Sequence, residues 1–86
     1  MWELREFDRN TSFLKQDYSL PQITTERIQE LLGLGDTVEI GDHHYPLEAG
    51  GYDVPESLVS FIATFGNWTG LPQPGMDYQV AYFEQQ

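Results

Sequence analysis

From Ile28 to Gln86 the chain contains no lysine and no arginine, yet it carries nine carboxylates: Glu30, Asp36, Glu39, Asp42, Glu48, Asp53, Glu56, Asp77 and Glu84. Every basic residue lies earlier, at Arg5, Arg9, Lys15 and Arg27. The first 27 residues net −1 and the remaining 59 net −9, which makes the total of −10. Mixed signs are the usual means of keeping a surface in water, and a one-signed surface destabilises the compact state by self-repulsion. Such a field repels nucleic acid and anionic membrane and attracts basic proteins. It points to binding more than to chemistry, although surface acids also serve plain solubility.

A chain of 86 residues makes one domain, 1–86. At this size about 60–65% of the unfolded surface is buried, so the core is modest and leaves little room for a deep substrate cavity. Aromatic residues make up 14% of the chain, too many for a disordered acidic tail. There is no cysteine, which favours a reducing cytoplasm over a disulfide-stapled secreted domain. No apolar run approaches the roughly 18 residues that span a bilayer, and Met1–Glu6 lacks the pattern of a signal peptide. Without such a signal, Asn10-Thr11-Ser12 and Asn67-Trp68-Thr69 are read as chance sequons.

The element pattern is legible from turn and cap chemistry. Residues 2–18 are expected to form a hairpin around the turn cluster Asp8-Arg9-Asn10-Thr11-Ser12, with Trp2 and Leu4 on one face. Thr24 is expected to cap a helix ending near Leu32, with Ile23 stapled to Ile28 and Gly33 as the left-handed stop. Thr37–Ile40 and His43–Leu47 read as a second hairpin turning at Gly41-Asp42 with glycine first. Residues 48–52 read as a loop. Asp53 and Glu56 have capping-box spacing before a helix whose buried side is expected to hold Leu58, Phe61, Ile62 and Phe65. Gly66 ends that helix, 67–76 is a Gly/Pro loop, and 78–84 is a strand apolar on both faces, hence inside the sheet. The order ββ-α-ββ-α-β gives a small α+β domain, an antiparallel sheet with two helices packed on it.

The inventory for catalysis is thin. There is no Cys/His cluster, no nucleophile elbow and no phosphate loop. His43 and His44 are adjacent on a strand and so point to opposite faces, which prevents them from converging on one ion. No catalytic residue, metal or cofactor is assigned, and the chain is not read as an enzyme. The candidate partner-binding residues are the acids Asp36, Glu39, Asp42, Glu48, Asp53 and Glu56 with the aromatic residues Tyr45, Tyr52 and Trp68 set among them. Aromatic anchors ringed by charge are typical of tight interfaces. Trp68 has a competing role as a cover for the core, and Trp2, Phe61 and Phe65 are read as core.

Several short motifs form a pattern in a set order: Trp2-Glu3-Leu4-Arg5-Glu6-Phe7-Asp8-Arg9, Leu20-Pro21 before a leucine-bearing helix, Tyr45-Pro46, and Asp77-Tyr78 followed by Tyr82-Phe83-Glu84. In this order the chain resembles small acidic bacterial domains found beside polymorphic toxin genes, including contact-dependent growth inhibition systems. The resemblance implies an immunity protein that neutralises a cognate toxin, a nuclease with a basic cleft, by stoichiometric and charge-steered occlusion. No direct contact with nucleic acid or membrane is expected, and the free chain is expected to be a monomer. Two other classes stay open: a phage-type acidic mimic of nucleic acid that inhibits a defence or DNA-processing protein, and a scaffold domain whose acidity only maintains solubility.

Overall fold

The computed structural model describes residues 1–84. Strands β1 (Trp2–Asp8) and β2 (Leu14–Ser19) form the expected antiparallel hairpin. Asp8 closes its turn by accepting from the backbone N–H groups of Asn10 at 2.8 Å and Thr11 at 3.2 Å. Ser12 takes the left-handed conformation there, with φ at 63°. Helix α1 (Thr25–Leu32) starts as its cap chemistry dictates, the Thr24 hydroxyl accepting from the Arg27 N–H. It stops at Gly33, whose φ of 65° suits a residue without Cβ. Ile23 and Ile28 are both buried, consistent with the staple.

Strands β3 (Thr37–Ile40) and β4 (His43–Pro46) pair across Gly41-Asp42. Gly41 has a φ of 64°, the first-position requirement of a primed turn with glycine leading. This hairpin is a separate two-stranded sheet and does not join the main one. A 3-10 turn over Leu47–Ala49 follows. Then, where a loop was expected, Gly51–Asp53 forms a third element of that region, β5, on the outer side of the last strand. Two consecutive glycines hide such a strand, because its pairing comes from a segment 26 or more positions away.

The main sheet runs β2-β1-β6-β5, with β6 (Met76–Tyr82) inside it. β6 begins and ends two residues earlier than its sequence pattern suggested. It is antiparallel to β1 from Trp2↔Tyr82 to Asp8↔Met76 and to β5 from Gly51↔Ala81 to Asp53↔Gln79. Alternation places Trp2, Leu4, Glu6, Tyr78 and Val80 on one face, where they join a core with Ile28 of α1 and with Val59, Ile62 and Ala63 of α2 (Glu56–Ala63).

Two expectations for α2 need correction. Asp53 does not cap it: the helix starts after Pro55, and no side chain bonds its N-terminus. The pairing of Asp53 with Gln79 fixes it in the sheet, where its carboxylate accepts from the Gln79 amide at 3.1 Å. The buried stripe is Val59, Ile62 and Ala63, with Leu58 and Phe65 half buried, while Phe61 is 43% exposed. Small Ala63 faces the sheet and the bulky ring turns outward. Phe61 instead meets Phe65 edge-on at 5.5 Å, with the Arg27 guanidinium 5.7 Å above its ring.

Candidate protein-binding surface

The β3–β4 hairpin stands off the body. From Thr37 to Pro46 only Val38 is partly buried, and every other residue is exposed. The cross-strand register sorts its side chains into two faces. Val38, Ile40, His43 and Tyr45 share one, since Val38 opposes Tyr45 and Ile40 opposes His43. Thr37, Glu39, His44 and Pro46 share the other, where the Thr37 hydroxyl lies 3.3 Å from His44 Nδ1. The histidines therefore fall on opposite faces. His43 meets Tyr45 edge-on at 6.3 Å.

The apolar face is open to water, Ile40 being 48% exposed and Tyr45 40%. Asp36 precedes the hairpin, Glu39 lies within it and Asp42 sits in its turn, all three exposed. The base of the hairpin is anchored to the body. Leu47 is buried, and its carbonyl accepts from the Tyr52 hydroxyl at 2.7 Å. Glu48 accepts from the Thr25 hydroxyl at 2.8 Å, and Thr25 in turn accepts from the Trp2 indole N–H at 3.0 Å.

Ion pairs decide which acids remain uncompensated. Arg5 is bound to Glu3 at 2.9 Å and lies 3.7 Å from Asp17. Arg9 pairs with Asp77 at 3.0 Å, and Arg27 pairs with Glu30. Asp36, Glu39, Asp42, Glu48, Asp53 and Glu56 take part in no ion pair among the described residues; Asp36, Glu48 and Asp53 accept only from neutral groups. The face of the main sheet opposite the helices is a weaker candidate for this reason. A groove of about 530 Å³ is lined there by Phe7, Asp53, Asp77 and Gln79, but Arg9 already neutralises Asp77 at its rim.

The structure gathers Asp36, Glu39, Asp42 and Tyr45 on one projecting element and places Glu48 at its base. The other expected residues lie elsewhere. Tyr52 is half buried near the Trp2 ring, at 6.3 Å, and burial followed by the nearby Glu48 carboxylate raises its pKa. Asp53 lies on the open sheet face and Glu56 in the first turn of α2, where a carboxylate complements the helix dipole. Trp68 folds back, its indole N–H donating to the Ser19 carbonyl at 2.8 Å. Ser19 and Gly51 end one row across the four strands, so Trp68 lies roughly 14 Å from the β5 side, three strand spacings away. Ile40 and His43 belong to the hairpin surface and were missed; the alternation Val38-Glu39-Ile40 carried the signal for Ile40.

No group of three or more potential metal ligands is assembled among the described residues. None of their helices is long and apolar enough to cross a membrane. A family model described as a domain of unknown function (DUF7683) matches residues 1–81. The chain belongs to that family. The match takes in both hairpins, both helices and nearly all of β6. No curated protein and no solved structure gives a significant match.

Proposed function

We propose that this domain is an immunity-type inhibitor, which binds a cognate toxin with a basic cleft, a nuclease, in the cytoplasm and occludes its active site stoichiometrically. The observation that carries this reading is the hairpin surface, where Asp36, Glu39 and Asp42 have no basic partner among the described residues and surround exposed Ile40 and Tyr45. Uncompensated charge of one sign speeds encounter with the opposite sign, and apolar side chains at its centre supply the contact area that slows release. The order of short motifs shared with toxin-linked acidic domains supports the same reading.

Affinity capture of tagged protein from its native host, washed at low and at high salt, tests it. One stoichiometric basic partner that is lethal when expressed without this chain is the expected result. Capture of a defence or DNA-processing complex would replace immunity with nucleic-acid mimicry. Retention of nothing at low salt would overturn both and leave the acids as solvation alone.

A further inference from the structure

We propose that the outward edge of β3 is a strand-addition site for a basic, extended segment of a partner protein. This rests on the reading of the domain as a binder of basic protein, and it names the backbone groups that would do the binding.

The two-residue turn sets which backbone groups are free. Across such a turn the flanking residues, Ile40 and His43, exchange both backbone hydrogen bonds, and the pairs then alternate. Val38 and Tyr45 are therefore bonded to each other, while Thr37 and Glu39 turn their N–H and C=O groups away from β4. Outside the strand ladders no backbone–backbone hydrogen bond among the described residues reaches either residue. On the other edge the outward residues are His44 and Pro46, and Pro46 has no N–H to offer.

The remaining edges are closed by recognisable devices. In β2 the register skips Lys15 between the pairs Glu6↔Gln16 and Phe7↔Leu14, so a charged residue sits in a bulge. The Gln16 amide reaches the Asp17 carbonyl at 3.4 Å, and the Trp68 indole occupies the Ser19 carbonyl. β5 is three residues long, and the N–H of Val54 beyond it turns inward to Tyr78. β3 has no bulge, proline or lysine; its protection is limited to its four-residue length and Glu39, a charge that a basic segment would complement.

The side chains along β3 specify the occupant. Glu39 stands on one face and Val38 and Ile40 on the other, with Asp36 and Asp42 at the two ends. A strand laid beside it would set its alternate side chains against Glu39 on one face and against Ile40 on the other. Lysine or arginine alternating with aliphatic residues complements both. Main-chain bonds would hold the segment and this alternation would select it.

The test uses the whole protein, isotope-labelled, with a short peptide alternating lysine and valine and with the same peptide N-methylated at every residue. Methylation keeps the charge and removes the backbone donors. The expected result is slowed amide exchange at Thr37 and Glu39 with the unmodified peptide only, and binding at least about tenfold tighter than that of the methylated one. Thr37→Pro removes an outward N–H without touching a carboxylate or a backbone bond between β3 and β4, although it also deletes the hydroxyl that lies 3.3 Å from His44 Nδ1, and should erase most of that difference. Equal binding of the two peptides, no protection at Thr37 and Glu39, or no binding of either overturns strand addition, whether or not the proline variant folds. Equal binding would leave charge attraction, and with it the proposed function, standing. Protection of this edge with no toxin captured from the host would do the reverse.

Discussion

Trp68 and Ser19 are joined by an indole-to-carbonyl hydrogen bond of 2.8 Å across 49 positions of sequence. The same ring meets Tyr18 edge-on at 5.0 Å, so one side chain both covers the end of β2 and fills the space beside it. Gly66 permits the approach, because a Cβ there would overlap the Ser19 carbonyl. Trp68→Phe should keep most of the packing and lose the hydrogen bond, lowering stability by about 1 kcal/mol in urea unfolding. Gly66→Ala should cost more than this, since backbone must move. Neither change should alter capture of a basic partner, because both sites lie away from the hairpin.

The relay from Trp2 through Thr25 to Glu48 fastens the hairpin's base to the first strand and first helix. Thr25→Val keeps the shape and removes both bonds. The indole N–H of buried Trp2 then loses its acceptor, with an expected cost of about 1–3 kcal/mol by denaturant unfolding. Amide exchange in the hairpin should accelerate in this variant more than exchange in β1 and β6.

Glu6 is 4% exposed and accepts a hydrogen bond from the Tyr78 hydroxyl, which itself accepts from the Gln73 N–H at 2.8 Å. Burial, with Glu6 adding to it, raises the pKa of Tyr78, and burial followed by Glu6 raises that of Tyr18. A raised phenol pKa keeps the folded state protonated where the unfolded state has begun to ionise. The stability it contributes is therefore complete below the unfolded value, about pH 10, and is lost as pH rises from there through the folded value. Unfolding measured at rising alkaline pH should show this decline, and Tyr78→Phe should make it shallower. At neutral pH the same variant should be less stable by about 1–3 kcal/mol, because Glu6 loses its donor.

Neutralising the hairpin by Asp36→Asn, Glu39→Gln and Asp42→Asn together should leave the fold intact, since none of these acids is in an ion pair among the described residues. Association with a basic partner should slow by about tenfold or more at low salt, and the difference should shrink as salt rises. Stopped-flow association across a salt series measures both. An unchanged rate at low salt would remove the electrostatic basis of the proposed function.

The candidate site was only partly legible before folding. Asp36, Glu39, Asp42 and Tyr45 lie within one short run of chain and remain together on the hairpin, so adjacency in sequence sufficed for them. Tyr52, Asp53, Glu56 and Trp68 were grouped with them by character and loop position. Three of them are governed by a partner that sequence spacing does not reveal: the Leu47 carbonyl for Tyr52, Gln79 for Asp53 and Ser19 for Trp68. Glu56 opens the second helix, as its spacing indicated, and that keeps it off the hairpin.

By itself the sequence determined the elements whose causes are local. Thr24 and Gly33 bound the first helix through a side chain three residues from its target and a positive φ. Gly41 sets the second hairpin's turn, and apolar residues on both faces place the last strand inside a sheet. Tertiary structure alone decided the rest. It recruited Gly51–Asp53 as a strand, turned Ala63 inward and Phe61 outward, closed the end of β2 with Trp68, and left the β3–β4 hairpin apart from the main sheet. The physical reason is range. Caps and turns are satisfied within a few residues, whereas a strand's neighbour, a helix's buried face and a carbonyl's donor are chosen by competition among segments far apart in the chain.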